Sequence, residues 1–305
     1  MPALPNVGVI GTGAMGFGVV QSLVRHGFAV HARDIRPEAE VAAVAAGAMA
    51  YPSPAALARD CDIVVVLVVD APQVEAVLFG ADGVATSLAP GAIVLISSTV
   101  APAFVADVAA RLDVIGITLL DAPVSGGPQR AAAGTMTVMI AGEADAIDRC
   151  ASLLAAIASR HFVVGARPGA AATFKLLNNQ LAAVNLAAGA EAMALAVRGG
   201  VDLRLLMEVI NASSGASWIL NDRMTRVLEG DATQRAAMTL LAKDSGIAVD
   251  TAAALGFDVP IARAAHAAFT AAVAAGYATA DDSALIDHYL QRAGTQASQG
   301  TSSWK

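Results

Sequence analysis

Aromatic residues make up only 4% of this 305-residue sequence, and charged residues only 15%. Cysteine is nearly absent. Cys61 and Cys150 stand far apart, with no companions at ligand spacing. Two such thiols build neither a disulfide framework nor a tetrahedral metal centre, so they read as small buried hydrophobes in a reduced compartment. The five histidines, at 26, 31, 161, 266 and 288, are equally scattered, and no metal is expected. Basic residues number 19 against 26 acidic ones, a net charge of −7 with no basic block, which argues against a nucleic-acid partner. A local cationic pocket for a small anion is still compatible with that charge. No uninterrupted apolar run approaches the ~18 residues of a membrane helix, and the first residues lack a charged segment ahead of an apolar core. The expectation is a cytoplasmic protein without membrane contact.

What is abundant is alanine, which carries much of the 56% hydrophobic content. The length suits two domains. In the first half, short apolar runs at 7–10, 29–32, 63–69, 93–97, 117–121, 136–141 and 162–165 read as strands. Several are apolar throughout, as strands covered on both faces are. Between them, 16–25, 38–46, 54–59, 72–78 and 102–112 read as helices. This alternation predicts an α/β fold with a doubly wound sheet. After Pro168 the pattern changes. Residues 170–198 form one long alanine-rich helical segment, followed by helical patterns at 203–211, 222–228, 235–255, 261–276 and 283–291. The expected division is a dinucleotide-binding domain over 1–166, an all-helical domain over 167–293 and a disordered tail over 294–305. An apolar face as wide as that of 170–198 predicts burial against another subunit, in a homodimer or homotetramer.

The most informative stretch is Gly11-Thr12-Gly13-Ala14-Met15-Gly16, between the apolar run Val7–Ile10 and a helical pattern. Gly11 permits a tight turn, Gly13 lets the backbone approach a pyrophosphate, and Gly16 lets helix and strand pack closely. Unpaired N–H groups at the helix start face the anion. Asp34 follows Gly16 by eighteen residues, at the end of the second apolar run. A carboxylate there accepts from a ribose 2′-OH and repels a 2′-phosphate, so NAD is the expected cofactor and NADP the less favoured one. Arg33 and Arg36 flank it.

Lys175 stands in Thr173-Phe174-Lys175-Leu176-Leu177-Asn178-Asn179-Gln180, a polar cluster on an otherwise apolar helix. A snorkelling lysine would explain the charge but not the three amides that follow. A desolvated lysine exchanges a proton with an alcohol or carbonyl oxygen, and Asn179 shares its helix face. Asp121-Ala122-Pro123-Val124-Ser125-Gly126-Gly127-Pro128 ends a strand and turns. Ser125 and the amides of Gly126 and Gly127 suit a substrate carboxylate, although a plain turn would look the same. Ser97-Ser98-Thr99 either contacts the cofactor or caps the helix before Pro102. Ser213–Trp218 either lines a pocket or joins two helices. Lys243-Asp244, by itself, is an ordinary charge pair.

These segments, in this order, resemble the 3-hydroxyacid dehydrogenase family. The resemblance rests on Gly8–Gly16, Asp121–Gly127, Gly134–Met139, Gly169–Asn179 and Lys243-Asp244, and it spans nearly the whole chain. It implies a Rossmann domain followed by a helical domain, and NAD-dependent oxidation of a small 3-hydroxy acid or four-carbon sugar acid. It implies that Lys175 is the acid/base, that Asn179 holds the reacting group, and that Ser125, Gly126 and Gly127 anchor the carboxylate with Trp218 nearby. Thr99, Lys243 and Val69 are implied near the cofactor, although Val69-Asp70-Ala71-Pro72 departs from the usual proline-containing turn. The stretches Asp121–Gly142, Ser213–Trp218 and Asp281–Ser283 look most like the L-threonate branch. The 3-hydroxyisobutyrate and tartronate semialdehyde branches are the alternatives, with a non-catalytic dinucleotide binder more remote. Imine reductases generally lack this lysine, and phosphogluconate enzymes are longer and richer in cations at the site.

Overall fold

Strand β1 (Val7–Ile10) lies at the centre of a mostly parallel sheet. It pairs with β2 (Val30–Arg33) on one side and β4 (Ile63–Val66) on the other. The computed structural model describes residues 4–292. The short β3 (Met49–Ala50) pairs outside β2, and β5 (Ile93–Ile96) and β6 (Thr118–Asp121) continue beyond β4, giving the order β3-β2-β1-β4-β5-β6. There the direction changes. The two-residue β7 (Val124–Ser125) and β6 both pair antiparallel with β8 (Met136–Ala141), and β9 (Ala158–Gly165) runs parallel to β8.

The uniformly apolar strands follow from two cores, one on each face. Val7, Val9, Ile63, Val65, Ile93 and Leu95 enter one. Ile10, Val64, Val66, Val94 and Ile96 enter the other. Successive side chains point to opposite faces, so a strand covered twice has no polar side. The covering helices are α1 (Ala14–Arg25), α2 (Pro37–Ala45), α3 (Pro54–Ala58), α4 (Ala71–Phe79), α5 (Pro102–Asp113), α6 (Gly127–Ala133), α7 (Ala144–Arg149) and α8 (Ala151–Ile157). Proline occupies the first turn of α2 to α6, where its missing N–H has no intrahelical partner to lose.

The periodicity did not reveal α6, α7 and α8, or the two-residue strands β3 and β7, which are too short to show a period. Strand β9 begins four residues before the expected 162, because Ser159, Arg160 and His161 are exposed and polar; Arg160 and His161 nonetheless pair with β8, and Ser159 sits at a bulge between paired residues.

The chain divides into two compact units, Met1–Lys175 and Leu176–Lys305. The break falls within α9 (Ala170–Arg198), whose bounds match the long segment expected from composition. The second unit continues with α10 (Leu203–Asn211), α11 (Trp218–Glu229), α12 (Met238–Ala254), α13 (Pro260–Ala272), a π-type turn over Val273–Tyr277, a short 3-10 turn, and α14 (Leu285–Arg292). Its core joins Ala183, Leu186, Ala190 and Met193 of α9 to Met207, Leu220, Met224, Met238, Phe269 and Ile286. By length and composition α9 would also pass for a membrane span. Its inward face is instead consumed by that core. The tail expected over 294–305 lies outside the described residues.

Candidate active site

The glycine loop follows β1 directly. Gly11 has φ +90°, and a Cβ on Gly16 would overlap the Gly11 carbonyl oxygen, so only glycine lets α1 start this close to the strand end. Gly13 caps α1 without a side-chain hydrogen bond, which leaves the first-turn N–H groups directed at an incoming anion. Thr12 is buried, and its N–H donates to Asp34 Oδ2 at 2.8 Å. Asp34 Oδ1 accepts from the Arg36 backbone N–H at 2.9 Å and from Arg36 Nε at 3.1 Å. Burial opposes ionisation of Asp34, yet the Arg36 and Thr12 bonds outweigh it and hold the carboxyl below its usual range. The Arg36 Nη2 lies 3.3 Å from where a Cβ on Gly13 would be, so the guanidinium hangs beside the loop. Arg33 is occupied elsewhere, paired with Glu40. A cradle closed to a Cβ at Gly11 and Gly16, with a carboxylate beyond it, fits an adenine dinucleotide.

At the ends of β4 and β5 the hydroxyls serve the sheet. Ser97 Oγ donates to the Ala122 carbonyl at 2.9 Å and Ser98 Oγ to that of Val66 at 3.3 Å. Neither caps α5, whose N-cap is Ala101 without a side-chain bond. Thr99 follows, partly buried. Val69 is exposed and donates its N–H to Gln73 Oε1, while Asp70 caps α4.

The stretch from Asp121 to Gly127 passes from β6 through β7 into α6. Ser125, Gly126 and Gly127 lie at that junction, half-buried. Asp121 is the residue that sequence reasoning passed over as a mere strand end. It is 1% exposed, and its Oδ2 accepts the N–H groups of Gly169 at 2.8 Å and Ala172 at 2.9 Å. These are the first orphan donors of α9. Lys175 comes three residues later and is buried, with 9% exposure. A lysine this withdrawn from water is not a snorkelling surface charge.

The second unit presents its own polar cluster. Asn179 is buried, and its Nδ2 donates to Asp244 Oδ2 at 2.7 Å. Its Oδ1 accepts from Asn178 Nδ2 at 3.1 Å. Asp244 Oδ1 pairs with Lys243 Nζ at 2.7 Å. Asp244 is buried, so Lys243-Asp244 is not the plain surface pair that its local sequence suggests. Trp218 opens α11 and is exposed, with Ser217 as its N-cap. Among the described residues, no three His, Cys, Asp or Glu side chains gather to hold a metal ion.

Comparison with known proteins covers both units. A family model described as the NAD binding domain of 6-phosphogluconate dehydrogenase matches residues 6–165. One described as NAD-binding of NADP-dependent 3-hydroxyisobutyrate dehydrogenase matches residues 169–289. The chain is 48% identical to an L-threonate dehydrogenase of Cupriavidus necator, covering 92% of this chain and 95% of that one. It is 44% identical to an L-threonate dehydrogenase of Escherichia coli K12, covering 92% and 93%. A crystal structure of a 3-hydroxyisobutyrate dehydrogenase from Salmonella typhimurium superposes with a TM-score of 0.86 at 43% identity, over 93% of this chain and 99% of that one.

Proposed function

This chain belongs to the 3-hydroxyacid dehydrogenase family, and we propose that it oxidises a four-carbon sugar acid of the L-threonate type with Lys175 as the acid/base. It is an NAD-dependent oxidoreductase. The substrate reading is supported by the relatives that act on L-threonate, at 40–48% identity. The single observation that carries the assignment of Lys175 is its burial on the second turn of the alanine- and leucine-rich α9.

The chemistry follows from what each group can do. When bound, NAD supplies the hydride acceptor. Lys175 accepts the proton of the substrate hydroxyl at Nζ and returns it in the reductive direction. Ser125 and the amides of Gly126 and Gly127 hold the substrate carboxylate, which orients the reacting carbon. Asn179 is held from both sides by Asn178 and Asp244 and steadies the reacting oxygen. Gly11 to Gly16 receive the pyrophosphate and Asp34 the ribose, with Val69, Thr99 and Lys243 nearer the nicotinamide end. Trp218 covers the substrate.

A homodimer or homotetramer is part of the same reading. Phe174, Leu177, Leu181 and Leu195 of α9 are exposed, an area that another subunit would cover. The two units correspond to a cofactor domain and a substrate domain. A reducing cytoplasm suits the two free, buried cysteines.

The test is turnover of L-threonate, D-threonate, 3-hydroxyisobutyrate, glycerate and tartrate isomers with NAD and NADP, by the wild type and Lys175→Ala. L-Threonate with NAD is expected to give the highest kcat/KM. The variant is expected to bind NAD normally and to lose at least about 10³-fold in kcat, the scale of general acid–base assistance. Preference for 3-hydroxyisobutyrate would move the substrate to that branch, and near-wild-type turnover by the variant would remove Lys175 from the chemistry.

A further inference from the structure

Helix α9 lacks a cap of its own. Its N-cap is Gly169, whose carbonyl accepts the Thr173 N–H at 3.1 Å. Gly169 has φ +95°, and a Cβ there would come within 2.8 Å of the Pro102 carbonyl oxygen. The serine, threonine or aspartate that normally accepts the N3 donor of a helix is therefore excluded at this position. The N3 donor is Ala172 N–H, and its acceptor comes from 51 residues away, the Asp121 carboxylate, which also takes the Gly169 N–H.

We propose that Asp121 is a positioning residue: its buried carboxylate bolts the first turn of α9 to the end of β6 and thereby fixes Lys175 relative to Ser125. The inference rests on the reading of Lys175 as acid/base. Both ends of the tie are rigid. Asp121 pairs in register with Ile96 of β5 and Ala141 of β8, and the next residue, Ala122, donates its N–H to Ile96. Ala172 is buried in the same core as Ile96, Val100 and Leu119. From Ala172 to Lys175 is under one helical turn, roughly 4.5 Å of rise. From Asp121 to Ser125 is four residues of strand and turn, held through β7 to Val138 and Thr137. One carboxylate thus joins the peptide that carries the proposed carboxylate anchor to the helix that carries the proposed base. The negative charge also suits a helix N-terminus. Burial pushes the Asp121 carboxyl up to about 6 even against the N–H groups of Ala172, Gly169 and Ala171, so this charge is held at a cost that a plain strand end would not carry.

The experiment uses the full chain with Asp121→Asn, Asp121→Ala, Lys175→Ala and the double variant Asp121→Asn/Lys175→Ala. Readouts are kcat, KM, NAD affinity by fluorescence titration, and the primary deuterium isotope effect on kcat. A base displaced by about 1 Å costs roughly 10²-fold, so Asp121→Ala is expected to lose about that much kcat, with NAD affinity intact and a larger isotope effect. Asp121→Asn, whose carboxamide oxygen still accepts both N–H groups, should recover part of the loss and stay folded if the alanine variant does not. In the Lys175→Ala background Asp121→Asn should have no further effect, because the two residues act as one unit. Unchanged kcat and isotope effect in both Asp121 variants would overturn the proposal. So would an undiminished Asp121→Asn effect in the Lys175→Ala background. Full activity of Lys175→Ala alone would instead overturn the acid/base reading, and the proposal with it.

Discussion

Asp34 and Arg36 are a locked pair: the carboxylate takes the Arg36 backbone N–H at 2.9 Å and its Nε at 3.1 Å, while Arg33 is held by Glu40. Of the two arginines beside the acid proposed to bind the ribose, Arg36 is the one whose side chain bonds that carboxylate, so it is the one expected to offset repulsion of a 2′-phosphate. Arg36→Ala is expected to raise the NAD-over-NADP ratio of kcat/KM about tenfold, equivalent to roughly 1.4 kcal/mol and at the low end for a charge-assisted contact. Arg33→Ala should leave the ratio near wild type. Steady-state kinetics with both dinucleotides checks this, and a ratio that falls in Arg36→Ala contradicts it.

Asp244 is the partner that Asn179 cannot replace. Its removal leaves a buried amide donor unsatisfied, a cost of about 1–3 kcal/mol. Asp244→Ala should lower kcat by about tenfold and lower the thermal midpoint. Asp244→Asn, which keeps an acceptor for the Asn179 amide, should do less of both. Equal damage from the two variants would mean that the charge toward Lys243, not the bond to Asn179, is what matters.

The Asp121 carboxyl gives a pH signature. Burial raises its folded pKa to about 6 from an ordinary 3.8. The folded state binds this proton more tightly than the unfolded chain does. The group therefore favours folding fully below about pH 4, and that contribution is lost as pH rises through about 6, a change of about 3 kcal/mol. Asp121→Asn has no such proton. Denaturant midpoints measured from pH 4 to 7.5 should fall less steeply with pH in the variant, and parallel curves would refute the assignment.

The helical unit has its own electrostatic anchor. Arg223 makes two bonds to Asp282, at 2.6 and 2.9 Å, with the carboxylate almost fully buried. Burial raises the Asp282 pKa, with Arg223 acting in the opposite direction. Breaking a buried pair from one side strands the other charge, at a cost of about 3–5 kcal/mol. Arg223→Ala should thus lower the thermal midpoint by several degrees. Replacement of both residues, as Arg223→Met with Asp282→Leu, should be much less harmful, and calorimetry distinguishes the two.

Residue pattern alone was enough for the elements whose information is local. Gly11, Gly13 and Gly16 between an apolar strand and a helix, with Asp34 at its interval, announced a dinucleotide loop. Unbroken runs at 63–69 and 93–97 announced strands covered twice, which form over Ile63–Val66 and Ile93–Ile96, and α10 was legible to its end residues. Which polar groups meet depends instead on how distant segments pack. Asp121 reaches α9 across 51 residues and Asp244 reaches Asn179 across 65. Neither spacing is a helix or strand period, so no periodicity carries it. It is the order of the strands, and the antiparallel turn at β7 and β8, that sets the end of β6 against the start of α9. The same holds for Lys175: its residue type and neighbours suggested chemistry, but its burial is a property of what packs around it.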